Sequence, residues 1–544
     1  MLKEFDPNQI EDLEGARQAI IRILNVVEEL SSENKRLREE VQALRDENNR
    51  LKGEQGRPEV KAKKDKSKRD HSSEKERRQG KGWGKGSKLD KIKIDREEVL
   101  KVESADLPED VEFKGYEAVV VQDIQIKTDN IRFLKEKYYS PSNQKTYLAS
   151  LPEGYQGQFG PGLRSLVISL YYASGMTEPK IKEFLENFGL QISAGQISNF
   201  LIKDNEDWHQ EKAAIYQAGL SSSDWQHIDD TATRVDGENQ HCHILCNPLY
   251  TAYFTRPRKD RLTVIGVLQD TAELQFLLNE QTNLCLAQFG LPQWVQAQIQ
   301  TWPQGKILSQ SQVAQWVSQD LSRLNEQQQA RVFEAAALSA YYQQSTTPIV
   351  SLLISDDAPQ FRSITQEHAL CWVHEGRHYK KMSPYLDYHR TLLEDFQSDF
   401  WTFYHQLLAY QTNPSADLAT QLTLEFDTLF SRVTGFEALD KRIAKTKAKK
   451  EQLLLVLRYP HLPLHNNPAE LGARQRVRKR DISFGPRTQD GLAAWDTFMT
   501  LAATAKKLGV SFFAYVHDRV AGIYALPSLA QLITQQSLPT HSIS

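Results

Sequence analysis

From Leu13 to Leu51 apolar residues return at alternating steps of three and four. One line reads Leu13, Ile20, Val27, Asn34, Val41, Asn48, and the other Ala16, Ile23, Leu30, Leu37, Leu44, Leu51. A 3.5-residue period keeps one seam of a helix turned toward a partner helix. Residues 1–54 are therefore expected to form a parallel coiled coil that makes the chain a homodimer. Asn34 and Asn48 favour in-register pairing, because each bonds its twin. The flanks agree: Glu33, Glu40 and Glu47 precede Arg38, Arg45 and Lys52 by five residues. The alternative is a long helix folded back onto its own domain.

After this the pattern breaks. Residues 55–95 hold almost no aliphatic side chains, and between 61 and 93 fourteen Lys or Arg outnumber five Asp or Glu. Such a segment buries too little apolar surface to fold alone, so a disordered basic linker is expected. The same charge suits an arm that lies on phosphates and releases their counterions. Residues 96–160 predict a small β-rich module, from the strand composition of EAVVVQDIQI and IRFLKEKYYS.

Helical periodicity resumes over residues 161–222, where LRSLVISLYYASGM, EPKIKEFLENFG and SAGQISNFLIKD predict three short helices. A turn at Gly189 and an N-cap at Ser193 fit a helix-turn-helix unit, with Gln196 and Asn199 as candidate DNA contacts. A plain three-helix packing unit is the alternative.

From residue 224 the texture is α/β. DWQHIDDTATRV and QHCHILCNPLYTAYFT read as adjacent strands around a turn at DGEN. TTPIVSLLISDDAPQF is a buried strand ending in two aspartates, and HALCWVHEGRHYKK a strand running into a helix. Residues 271–345 are Gln-rich and helical, and look inserted; residues 384–460 are helical and polar. A last amphipathic helix is DGLAAWDTFMTLAATAKKLG.

Composition adds little beyond exclusions. Net charge is −3 over 544 residues, a balance that hides the segregation above. No run of 18 apolar residues occurs, and MLKEFDPNQIEDL lacks a charged-then-apolar leader, so a cytoplasmic protein is expected. Four cysteines make no disulfide framework.

The chemistry rests on three acidic places. Asp229 and Asp230 lie in the first strand of the α/β region, and Asp356 and Asp357 end a buried strand. Open α/β sheets place ligand groups at that carboxyl edge. Glu470 opens a helix. Divalent cations such as Mg²⁺ take carboxylate oxygens, and two of them about 4 Å apart clamp a phosphodiester. Each place has a plainer reading. Paired aspartates cap turns, and Asn467, Pro468 and Glu470 fit a capping box with Asn467 as N-cap. Asn466 lies one turn before Glu470, and Arg474 one turn after it. Arg476, Arg478, Lys479 and Arg480 follow and suit a phosphate surface; a solvated basic face is the alternative.

HIDDTATRV, LLISDDAPQF with ALCWVHEGRHYKK, and HNNPAELGARQRVRKRDISFG occur in that order. Together they resemble bacterial insertion-sequence transposases of the DDE type, most closely the insertion-sequence-66 family. There the motifs look like D-E-T-x-x-R-V, D-G-Y with C-W-x-H-x-R-R, and D-N-N-x-x-E-R-x-x-R. The resemblance covers roughly residues 160 to 520.

It implies an α/β fold with a ribonuclease-H-like core at 223–383 and 465–525. Helical insertions fall at about 271–345 and at 384–464, and 526–544 is a C-terminal tail. It also implies Asp229, Asp356 and Glu470 as catalytic ligands of Mg²⁺ or Mn²⁺. Asp230, Asp357, Cys371, His374, Asn466 and Asn467 are implied as supporting residues. Departures are Asp230 for a Glu, DDAPQF for D-G-Y, His465 for an Asp and Leu471 for an Arg; the doubled aspartates leave the ligand open by one residue. The cysteine zinc module found in many members is absent from residues 55–160.

The implied activity is transposition of an insertion sequence, with element ends, target DNA and accessory element-encoded proteins as partners. A nuclease of the same fold without strand joining, or an inactive dimeric DNA-binding regulator, are the alternatives.

Overall fold

A computed structural model of the chain describes residues 12–51, 92–102, 112, 115–124, 126–155, 157–271 and 273–537. The heptad stretch forms one helix, α1 (Leu13–Leu51). Most of the expected basic linker, residues 55–91, lies outside the described residues.

The expected β-rich module shrinks, among the described residues, to a hairpin of β1 (Lys137–Ser140) and β2 (Lys145–Leu148). EAVVVQDIQI forms no strand there. Val119, Val121 and Ile124 stand 78%, 80% and 77% exposed. β-branched composition makes a strand only when a neighbouring edge takes up its backbone hydrogen bonds, and among the described residues this segment has none.

Four helices follow: α2 (Pro161–Ile168), α3 (Glu178–Glu186), α4 (Ala194–Ile202) and α5 (Glu206–Ser221). The Ser193 side chain accepts from the Gln196 amide, as its N-cap position predicts. Gly189 holds φ at +79°, which a glycine adopts without strain. The link from Asn187 to Ser193 is longer than the three or four residues of a helix-turn-helix turn. Ile197, Phe200 and Leu201 bury one face of α4, and Gln196 and Asn199 sit half-buried beside it.

The central sheet begins with β3 (Trp225–Val235), β4 (Glu238–Cys246) and β5 (Thr251–Arg256). After α6 (Arg261–Gln269) the chain leaves the sheet. The excursion contains β6 (Phe276–Leu277), α7 (Glu280–Gln288), α8 (Gln293–Gln300), β7 (Ile307–Leu308), α9 (Gln310–Asp320) and α10 (Glu326–Gln343). β8 (Leu352–Ser355) and β9 (Glu367–Leu370) complete the sheet in the order β5-β4-β3-β8-β9. The first three strands are antiparallel neighbours; β8 and β9 run parallel to β3.

α11 (Trp372–Lys381) leads into a second helical excursion. It holds α12 (Asp387–Thr412), α13 (Ala416–Leu429), α14 (Glu437–Lys447), α15 (Lys450–Leu453) and α16 (Leu455–Arg458). Its core is centred on the fully buried Trp372, against Phe400, Phe403, Phe426 and Phe430. α11 is thus the root shared by sheet and excursion.

The chain then returns as α17 (Asn467–Ser483) and α18 (Gln489–Lys507), followed by α19 (Phe512–Val520) and α20 (Leu529–Gln535). The expected C-terminal tail is partly structured: Leu529 and Ile533 of α20 are buried and pack into the main core. α18 closes the sheet edge. Its Asp496, Thr500 and Thr504 accept from the β5 amides of Thr255, Tyr253 and Thr251. Side chains four residues apart on a helix thus match alternate amides of a strand, and the edge is covered.

Candidate functional site

The site begins with strand register. Trp225, Gln226 and His227 of β3 lie beside Leu352, Leu353 and Ile354 of β8. Continued two residues past the last of these pairs, the register brings Asp229 level with Asp356, just beyond the end of β8, and the charge of Asp356 is felt at Asp229. Parallel neighbours lie about 4.8 Å apart, so the two carboxylates share one sheet edge.

Their electrostatics agree. The Asp229 carboxyl is pushed up to about 7, first by burial, then by the charge of Asp356, with Glu470 and Asp230 adding to it. Burial also raises Asp356, against the opposing pull of His374. Asp357 behaves differently. Burial would raise it, but Lys449 and Arg362 outweigh that and hold it low. Lys449 Nζ lies 2.7 Å from its Oδ2, and Arg362 Nε donates to Oδ1 at 2.9 Å. Asp357 is therefore spent on protein cations, while Asp356 acts on Asp229. Asp230 accepts from Gln360 Nε2 at 2.6 Å.

Glu470 arrives on α17, and the expected capping box is not formed. The N-cap is Asn466 and makes no capping bond, because its side chain is used elsewhere. Asn466 Nδ2 donates to the Ile228 carbonyl at 2.7 Å, and Oδ1 meets His227 Nδ1 at 2.9 Å. These bonds fasten the start of α17 to β3, one residue before Asp229. Asn467, also buried, is the first residue of the helix. Cys371 Sγ accepts from the amides of His374 and Asn466, tying the starts of α11 and α17 together. Gly472 allows the close approach: a Cβ there would lie 2.8 Å from Ile244 Cγ2 of β4.

Glu470 is paired with Arg377 of α11, whose two terminal nitrogens donate to its carboxylate at 2.9 and 2.7 Å. Sequence reasoning missed Arg377 and Lys449. The available signal was CWVHEGR, where Arg377 follows His374 by one helical turn and so shares its face.

The five expected phosphate-binding cations of α17 do not form one exposed face. Arg476 is fully buried, 3.2 Å from Asp496, and stacks over Trp495. Lys479 is buried, donates to the Tyr171 carbonyl and lies 3.2 Å from that ring's centre. Both are internal fastenings. Arg474 and Arg478 are exposed, and Arg480 is half-buried with a bond to the Ala232 carbonyl.

Among the described residues no group of three His, Cys, Asp or Glu is arranged to hold a metal ion as it stands. The donor chemistry nevertheless fits a hard divalent cation. Burial and the charge of Asp356 raise the proton affinity of Asp229, and burial with Asp230 and Asp357 raises that of Asp356, a crowding of acids that a cation would relieve. Glu470, held by Arg377, adds a third carboxylate whose charge is felt at Asp229. No described helix is long and apolar enough to cross a membrane.

A family model described as Transposase IS66 family matches residues 156–273 and 342–494. The unmatched stretch between them covers β6 through most of α10. The uncharacterised protein y4jO of Sinorhizobium fredii is 31% identical over 325 residues, which is 59% of this chain and all of that protein.

Proposed function

The chain belongs to the Transposase IS66 family, and from that membership we propose that it is a DDE transposase that cuts and joins the DNA of an insertion sequence. Three antiparallel strands followed by two parallel ones support a ribonuclease-H-like reading of the sheet. The observation that carries the proposal is the register setting Asp229 beside Asp356, with the charge of Glu470 felt at Asp229.

Asp229, Asp356 and Glu470 would hold Mg²⁺ or Mn²⁺. When bound, the cations neutralise charge on the attacking and leaving oxygens of a phosphodiester. Asn466 and Cys371 fix α17 against β3 and α11, which orients Glu470. Arg377 places a guanidinium on Glu470, a positive charge available to a phosphate beside the carboxylates. In the first step water attacks phosphorus and the strand's 3′ oxygen leaves as a free hydroxyl. In the second, that hydroxyl attacks a target phosphodiester and displaces the target's own 3′ oxygen.

Exposed Arg474 and Arg478 contact DNA backbone, and the heptad seam of α1 pairs two protomers so that each holds one element end. With DNA as substrate, the protein works in the cytoplasm at the nucleoid.

The test uses Asp229→Asn, Asp356→Asn and Glu470→Gln in the full chain with DNA carrying the element ends. Binding is retained and Mg²⁺-dependent nicking falls at least about a hundredfold; full nicking by any one variant removes that residue from the site. Pre-cut ends distinguish a transposase, which joins them to target DNA, from a nuclease, which does not.

A further inference from the structure

α1 has two unlike faces. Along one, Ile20, Ile23, Val27, Leu30, Leu37, Val41 and Leu44 are all exposed. The other is docked on the second helical excursion of the same chain. Neither α12 nor α14 has a side-chain cap from its own residues. α1 supplies both. Glu28 accepts from the amides of Tyr385 and Leu386 at the start of α12, and its carboxylate lies 3.2 Å from His389 Nδ1. Asn25 Oδ1 accepts from the Glu437 amide at 2.9 Å, and its Nδ2 donates to the Gly435 carbonyl at 2.8 Å. His389 stacks on Phe436 with centroids 4.3 Å apart, which closes the two capped ends together. Gly435, at φ +86°, lies under Ile21.

Each bond answers a physical need. The first amides of a helix lack intrahelical acceptors and carry the positive end of its dipole, so an acceptor there stabilises the helix, a carboxylate most of all. In the heptad frame Asn25 falls at f and Glu28 at b, the positions turned away from the a/d seam. Pairing along the seam therefore leaves both caps in place. The docked excursion in turn reaches the carboxylates: Lys449, just after α14, bonds Asp357 and Glu375, and Glu375 also pairs with Arg442 of α14.

We infer that α1 is a built-in part of the helical excursion on one face and the pairing surface for a second copy of this chain on the other. The dimer then carries its two excursions braced against the coiled coil, not hung from the basic linker. The occupant of the seam is a second α1, because the apolar lines, the asparagines at a, and exposed Glu33 and Glu40 opposite Arg38 and Arg45 form a self-complementary set. The pairing half rests on the dimer named under Proposed function; the capping half stands on its own bonds.

The experiment uses the full chain. Asn25→Ala with Glu28→Ala, neither of which lowers helix propensity, is expected to keep the dimer mass in sedimentation. Amide-exchange protection at Tyr385, Leu386 and Glu437 is expected to fall about tenfold or more. Unchanged protection overturns the capping half. Ile23→Asp with Leu30→Asp is expected to give monomers that keep protection at those three amides. A dimer that persists overturns the pairing half. Protection lost together with the dimer overturns docking within one chain. A parent protein that sediments as a monomer defeats the dimer reading alone, since the exchange result is read separately.

Discussion

Arg377 and Glu470 form a two-pronged pair, with both terminal guanidinium nitrogens donating to one carboxylate. A divalent cation that binds Glu470 competes with that guanidinium. A hydrogen bond between charged groups contributes about 1.5–3 kcal/mol, so Arg377→Ala should lower the Mn²⁺ concentration for half-maximal nicking roughly tenfold. Metal titration of nicking measures it. A raised requirement would mean that Arg377 aims Glu470 at the metal and does not compete with it.

Gly472 is the point of closest approach between α17 and the sheet, since a Cβ there meets Ile244. Gly472→Val should cost about 1–3 kcal/mol by overpacking. It should also lift Glu470 away from Asp229, so that nicking falls even at temperatures where the variant stays folded. Thermal unfolding and nicking of the same sample decide this; normal nicking in a destabilised variant would show that the helix does not need this contact to place its carboxylate.

Arg476 and Arg478 sit two residues apart and should fail in different ways. Arg476→Ala strands Asp496 without its buried partner and should cost about 3–5 kcal/mol of stability. Arg478 is exposed, so Arg478→Ala should leave stability within about 0.5 kcal/mol. It should instead reduce the slope of log affinity for DNA against log salt by about one. Equal stability losses in the two variants would contradict this division.

Glu211, paired with the Tyr515 hydroxyl, has its carboxyl pushed up to about 7 by burial, against the opposing pull of Arg519. A raised carboxyl means that the folded state binds its proton more tightly than the unfolded chain. Stability from this group is therefore present below about pH 4.5 and is lost as pH climbs to about 7. Glu211→Gln should raise the melting temperature at pH 8 and leave it nearly unchanged at pH 4.5. A gain that is equal at both values would rule out the proton as the cause.

Much of the site's placement was legible locally. SLLISDD reads as a buried strand with acids at its carboxyl end, and β8 with Asp356 is that feature. The helix signalled by Pro468 is α17. What stayed hidden was tertiary. Arg377 and Glu470 are 93 residues apart, and Asn25 and Gly435 are 410 apart, separations that no helical or strand period reports. The capping box failed by one residue because Asn466 bonds β3 instead of its own helix. RQRVRKR reads as a phosphate-binding surface, yet Trp495, Asp496 and Tyr171, none of them in that run, draw two of its cations inside. The strand composition near Val119 has no edge to pair with among the described residues.

The three carboxylates sit at positions 229, 356 and 470, and the charge of the last is felt at Asp229 once α17 packs on β3 and β4. On the ribosome, the nascent protein would have its sheet and both excursions outside the exit tunnel before Glu470 emerged. A chain interrupted earlier would hold two acids at a strand edge with no third to join them. On the function proposed above, strand cutting is therefore expected only from chains long enough to carry α17, a dependence that comes from the order of segments.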